Sequence, residues 1–143
     1  MEPSFAELIS TFTDLEIVIE HLGNVNQPEG GEPPTQAVER IFGLARFPNV
    51  SIKIHGLGEF NERDASLPYG FPFRRPLPGL LEAAYSHFGP DRMMWGSDFP
   101  PVSGREGYRN ALQWTMDELS DKPPSEREQI FGGVAERIFN GSR

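Results

Sequence analysis

Three polar residues stand at the ends of three short apolar runs: His21 after Leu15–Glu20, His55 after Val50–Ile54, and Asp98 after Met93-Met94-Trp95-Gly96-Ser97. Histidine can ligate a metal or move a proton near neutral pH. A carboxylate beside it can be a ligand or a general base. Two histidines and one aspartate at a single rim would form a set able to activate water. Each also has a plainer reading. Asp98 can cap the next turn or helix, His21 can hydrogen-bond a neighbouring loop, and His55 can close its strand. Lys53 can sit at a sheet edge with its ammonium in water. His87 lies near a helix C-terminus, where positive charge is favoured.

No local motif supplies this chemistry ready-made. The sequence holds no G-x-G-x-x-G, Walker A or G-x-S-x-G pattern, and no H-x-H or H-E-x-x-H pair. With no cysteine, disulfides, zinc–thiolate sites and thiol nucleophiles are excluded. Any metal needs ligands gathered by the fold or supplied from elsewhere.

The elements that must gather them alternate. Ser4 with Glu7 reads as a capping box opening a helix over 4–12, with Phe5, Leu8, Ile9 and Phe12 on one face. A β-branched strand over 15–21 follows, then a polar loop over 24–34. A second helix spans 35–45, ended by Pro48-Asn49. Strand 50–55 alternates cleanly, with Ile52 and Ile54 on one side and Ser51, Lys53 and His55 on the other. The stretch 56–75 carries Phe60, Tyr69, Phe71, Phe73, Arg74 and Arg75 and reads as an ordered loop that covers something. A third helix over 77–88 stops at Gly89-Pro90. The third strand leads to Asp98. A fourth helix carries the stripe Tyr108, Ala111, Leu112, Met116 and Leu119. Pro123-Pro124 separates it from a last helix, which opens on a second capping box, Ser125 to Glu128, and buries Ile130, Phe131, Val134, Ala135, Ile138 and Phe139. Strands alternating with helices imply parallel strands with right-handed crossovers. All three polar ends then lie at one sheet edge, where α/β folds build their sites.

Length suits one domain over 1–143. A net charge of −8 argues against nucleic acid and anionic membranes as main partners. Met1-Glu2-Pro3-Ser4 lacks a basic region followed by a long apolar core, so no signal peptide is read there, and the absence of cysteine suits a cytoplasmic setting.

Leu15–Gly23, Phe47–Leu57 and Phe88–Pro100 resemble, in order, the sixth-, seventh- and eighth-strand segments of the amidohydrolase-2 family of metal-dependent TIM-barrel hydrolases. Ile130–Phe139 is similar to that family's closing helix. The resemblance implies an α/β fold made of the last three parallel strands of a (β/α)₈ barrel, with flanking helices. It implies hydrolysis of a lactone or related cyclic ester or carboxylate, with water activated by Asp98 and with His21 as metal ligand or electrophile. It implies a divalent metal, zinc or manganese, on His21 and Asp98. His55, Lys53, Arg74 and Arg75 would face an anionic small-molecule substrate, where an arginine fork suits a carboxylate. Some members work without metal, and there a His or Arg would stabilise the oxyanion.

Departures accompany the match. The family's first-strand H-x-H pair and fifth-strand histidine are absent, so the metal site is incomplete and the isolated chain is expected to be inactive or nearly so. His55 stands where many members carry Ser, and Val134 where many carry Asn. A full barrel takes about 250 residues, and three strands leave two open edges. The alternative expectation is a non-catalytic interaction module, or a subunit that completes a barrel with another chain or pairs its edges as a homo-oligomer. A free-standing open sheet binding a small ligand is a further option.

Overall fold

Three β-rich runs form a parallel sheet in the order β1-β2-β3, with β1 at Ile17–Ile19, β2 at Val50–Ile54 and β3 at Met93–Trp95. The computed structural model describes residues 4–25, 29–55 and 79–141. Register pairs Val18 with Ser51, Ile19 with Ile52, Lys53 with Met94, and Ile54 with Trp95. Alternation sorts the side chains. Ile17, Ile19, Val50, Ile52, Ile54, Met93 and Trp95 join the main core, while Val18, Ser51, Lys53 and Met94 take the other face. The stretch Gly56–Arg75, including Arg74 and Arg75, lies outside the described residues.

The helices are α1 (Phe5–Thr11), α2 (Pro34–Phe42), α3 (Leu80–Phe88), α4 (Pro101–Gly104), α5 (Tyr108–Glu118), α6 (Pro124–Glu128) and α7 (Val134–Asn140), with one π-turn at Gln129–Gly133 joining α6 to α7. Among them, α2 fills the crossover from β1 to β2 and α3 that from β2 to β3, while α1 precedes the sheet and α4 to α7 follow it. The Ser4–Glu7 capping box of α1 forms as its sequence predicts. Of its apolar face, Ile9 is buried, while Phe5, Leu8 and Phe12 are exposed.

Two side chains fix the base of the sheet. Asn49 Nδ2 donates to the carbonyls of Phe12 and Leu15, at 3.1 and 2.9 Å, tying the entry of β1 to that of β2. Arg92 Nη1 donates to the carbonyls of Ala45 and Phe47, at 2.8 and 2.9 Å, tying the entry of β3 to the turn before β2.

Three local expectations are corrected. The second capping box does not form, because Pro123 is the N-cap and Pro124 the first helical residue, so Ser125 already lies inside the helix. Glu126 instead accepts a hydrogen bond from the Tyr85 hydroxyl. The buried stripe of α5 runs through Ala111 and Thr115 to Leu119, and Tyr108 and Met116 are exposed. Thr115 is tolerated inside because its hydroxyl donates to the Ala111 carbonyl at 2.9 Å. The last helix buries Ile130 and Val134, and the π-turn leaves Phe139 exposed.

Candidate active site

His21 lies beyond β1, in a turn rather than on the strand. Glu20 is extended, and His21, Leu22, Gly23 and Asn24 then all take left-handed φ values of 54°, 50°, 69° and 54°. Only Gly23 does so freely. Asn24 tolerates it, and His21 and Leu22 each cost about 1–2 kcal/mol. Burial of Leu22 and Val25 offsets this by about 1.5–3 kcal/mol apiece, so turn and anchors come close to balance. Gly23 is also required sterically, since a Cβ there would lie 2.4 Å from Ile41 Cγ2. His55 follows β2 directly and is fully buried. Asp98 stands three residues past β3, also with a left-handed φ, of 55°.

These three meet. The His21 and His55 rings overlap, with centroids 3.8 Å apart and planes tilted by 35°. His21 Nε2 is 3.5 Å from Asp98 Oδ1, an electrostatic contact rather than a tight hydrogen bond. The other carboxylate oxygen, Oδ2, accepts from Arg105 Nη2 at 3.0 Å. Arg105 Nε donates in turn to the buried Glu106 carboxylate at 3.1 Å. Asp98 is thus held from one side, with Oδ1 turned to the histidines. Burial, then the neighbouring His21, pushes the His55 pKa down to about 3, against the opposing pull of Asp98. His55 is therefore a neutral ring near pH 7, able to accept or ligate but not to act as an acid.

His21, His55 and Asp98 each offer one donor atom, and these atoms lie within 4.8 Å of one another. Two imidazoles and one carboxylate suit a divalent transition metal with open positions. The 3.5 Å between His21 Nε2 and Asp98 Oδ1 is near the roughly 3.4 Å edge that two zinc bonds at a tetrahedral angle would span. The residues fit such an ion.

Lys53 is placed differently. Its ammonium pairs with Glu20 at 2.7 Å across β1 and β2, and its stem crosses Gly96, where a Cβ would lie 2.6 Å from Lys53 Cε. His87 stays on α3, with Nδ1 2.8 Å from the Ala83 carbonyl. Sequence reasoning missed Glu20, Arg105 and Glu106. The available signal was an adjacent basic–acidic pair, Arg105-Glu106, just beyond the Pro-Gly turn that follows Asp98.

The sequence model of the amidohydrolase family matches residues 1–141. The chain belongs to the amidohydrolase family. It is 27% identical over 143 residues to 4-sulfomuconolactone hydrolase of Hydrogenophaga intermedia, covering 95% of this chain and 42% of that protein. It is 28% identical over 130 residues to L-fucono-1,5-lactonase of Burkholderia multivorans, covering 86% and 42%. Among solved structures it resembles an amidohydrolase from Burkholderia multivorans with bound zinc, with a TM-score of 0.76 at 22% identity, over 94% of this chain and 47% of that one. The chain spans less than half the length of these relatives. Among the described residues, no helix is long and apolar enough to cross a membrane.

Proposed function

We propose that this chain carries the water-activating end of a lactone-opening amidohydrolase, and that its sheet is the last three strands of a (β/α)₈ barrel closed by further polypeptide. The observation that carries the reading is the meeting of His21, His55 and Asp98 beyond the C-terminal ends of parallel strands, with Asp98 held by Arg105. Asp98 Oδ1 takes a proton from water as the water oxygen attacks the ester carbonyl carbon. The ring C–O bond then breaks, and the proton passes from Asp98 to the departing alkoxide oxygen, leaving an open hydroxy acid. His21 orients the carbonyl or holds a divalent metal, zinc or manganese, together with Asp98. When bound, such an ion polarises the carbonyl and eases ionisation of water. His55, Lys53, Arg74 and Arg75 are the proposed substrate contacts.

The test grafts residues 1–141 in place of the matching part of the Burkholderia multivorans lactonase and follows acid release from a panel of aldonolactones. Turnover lowered by about 10²–10⁴ in Asp98→Asn supports the reading. A folded, metal-loaded chimera that opens none of the lactones overturns it. The 143-residue chain alone is expected to turn over little or nothing, and Asp98-dependent turnover by it would refute that part.

A second reading, a non-catalytic subunit that completes a barrel with another chain, is supported by a separate observation. Phe5, Leu8, Phe12 and Leu15, which precede the edge strand β1 in the chain, are each more than 40% exposed.

A further inference from the structure

We infer that His55 is a metal ligand rather than a substrate contact, so that the ends of three consecutive strands bring two histidines and one aspartate to a nitrogen-preferring divalent ion. The inference rests on the hydrolase reading above and reassigns one residue within it.

Accessibility argues first. His55 is 0% exposed, whereas a ligand needs only a line to the ion. Placement argues next. β2 is the middle strand, so its end lies between His21 on one side and Asp98 on the other, with strands about 4.8 Å apart. His21 reaches Asp98 Oδ1 at 3.5 Å and stacks on His55, so the ends of all three strands meet at one point.

One adjustment is needed. The rings lie 3.8 Å apart, whereas two imidazoles radiating from one zinc ion sit roughly 5 Å apart for bonds near 2.1 Å. His21 is the ring that moves. Its side chain is 30% exposed and rides on the left-handed turn, while His55 is fixed at the strand end. Imidazole donors select a zinc-like ion over magnesium.

The experiment titrates Zn²⁺ into the ¹⁵N-labelled 143-residue chain and follows imidazole nitrogens by long-range ¹H–¹⁵N correlation. The sequence has only three histidines, and the exposed His87→Gln variant assigns the third. At one equivalent, the ring nitrogens of both His21 and His55 should shift while those of His87 stay, and Mg²⁺ should move none. A shift confined to His21, or no shift in either ring, overturns the inference. In parallel, His55→Asn should weaken Zn²⁺ binding more than about 100-fold, beyond the loss typical of an outer-shell change. A folded His55→Asn variant that keeps its affinity also overturns it, and if that variant unfolds, the wild-type titration decides. The two readings fail separately. A chimera that is inactive although both rings shift defeats the hydrolase reading, and a His21-only shift with lactone turnover defeats this one.

Discussion

Asp98 is held in place by Arg105. The guanidinium bridges Asp98 and the buried Glu106. Arg105→Met therefore removes the restraint on Asp98 and strips a positive partner from a buried carboxylate. The expected loss is about 3 kcal/mol, the low end for breaking a buried pair, read by urea unfolding. Glu106→Gln should cost less, because no buried charge is left behind. His55 supplies a pH signature. Its pKa is near 3 when folded and about 6.5 when unfolded. As pH falls below the unfolded value, the unfolded chain binds a proton that the native ring refuses, so stability declines. The slope should approach 1.4 kcal/mol per pH unit below roughly pH 6. Unfolding titrations between roughly pH 6.5 and 5 should show this slope, and a folded His55→Asn variant should lose it.

The elements were legible where periodicity speaks and silent where a turn decides. The alternation of Ser51, Lys53 and His55 against Ile52 and Ile54 announced β2, and Ser4 with Glu7 announced α1. The His21 turn was not legible. Gly23-Asn24 hints at left-handed backbone, but His21 and Leu22 carry no such signal, and burial of Leu22 and Val25 holds them there. Likewise, Pro124 starts α6 before Ser125 can cap it. Of the site, His21, His55 and Asp98 could be named because each ends an apolar run. Arg105 and Glu106 offered only an adjacent basic–acidic pair, and it takes the turn through α4 to bring that pair back onto Asp98. The turn yields its own prediction. Gly23→Ala meets both a left-handed φ and Ile41 Cγ2 at 2.4 Å, so it should cost more than about 2 kcal/mol. A thermal melt matching wild type would refute this.

On the scale of the molecule, the sheet ends at β1 on one side and at β3 on the other among the described residues. Near the start of the chain, Phe5, Leu8, Phe12 and Leu15 are exposed apolar side chains, and large exposed apolar surfaces mark contact sites. The net charge of −8 opposes indiscriminate association, so a partner must match these side chains. Light scattering of the isolated chain is expected to give a mass above the 16.0 kDa monomer. The paired change Phe5→Glu and Phe12→Glu, at exposed positions, should return it to the monomer without loss of helicity. A wild-type monomer at tens of micromolar would refute that expectation.

The crossing of Lys53 over Gly96 links two positions in a way that sequence comparison can read. A methyl group at 96 fits only if the stem at 53 yields, and the ammonium then leaves Glu20. Positions 53 and 96 should therefore change together in related chains, with glycine accompanying a long residue and alanine a short one. A double-mutant cycle of Gly96→Ala with Lys53→Ser should show the second change recovering part of what the first loses, giving a coupling of about 0.5 kcal/mol or more. Strictly additive costs would mean that the two positions are free to drift apart.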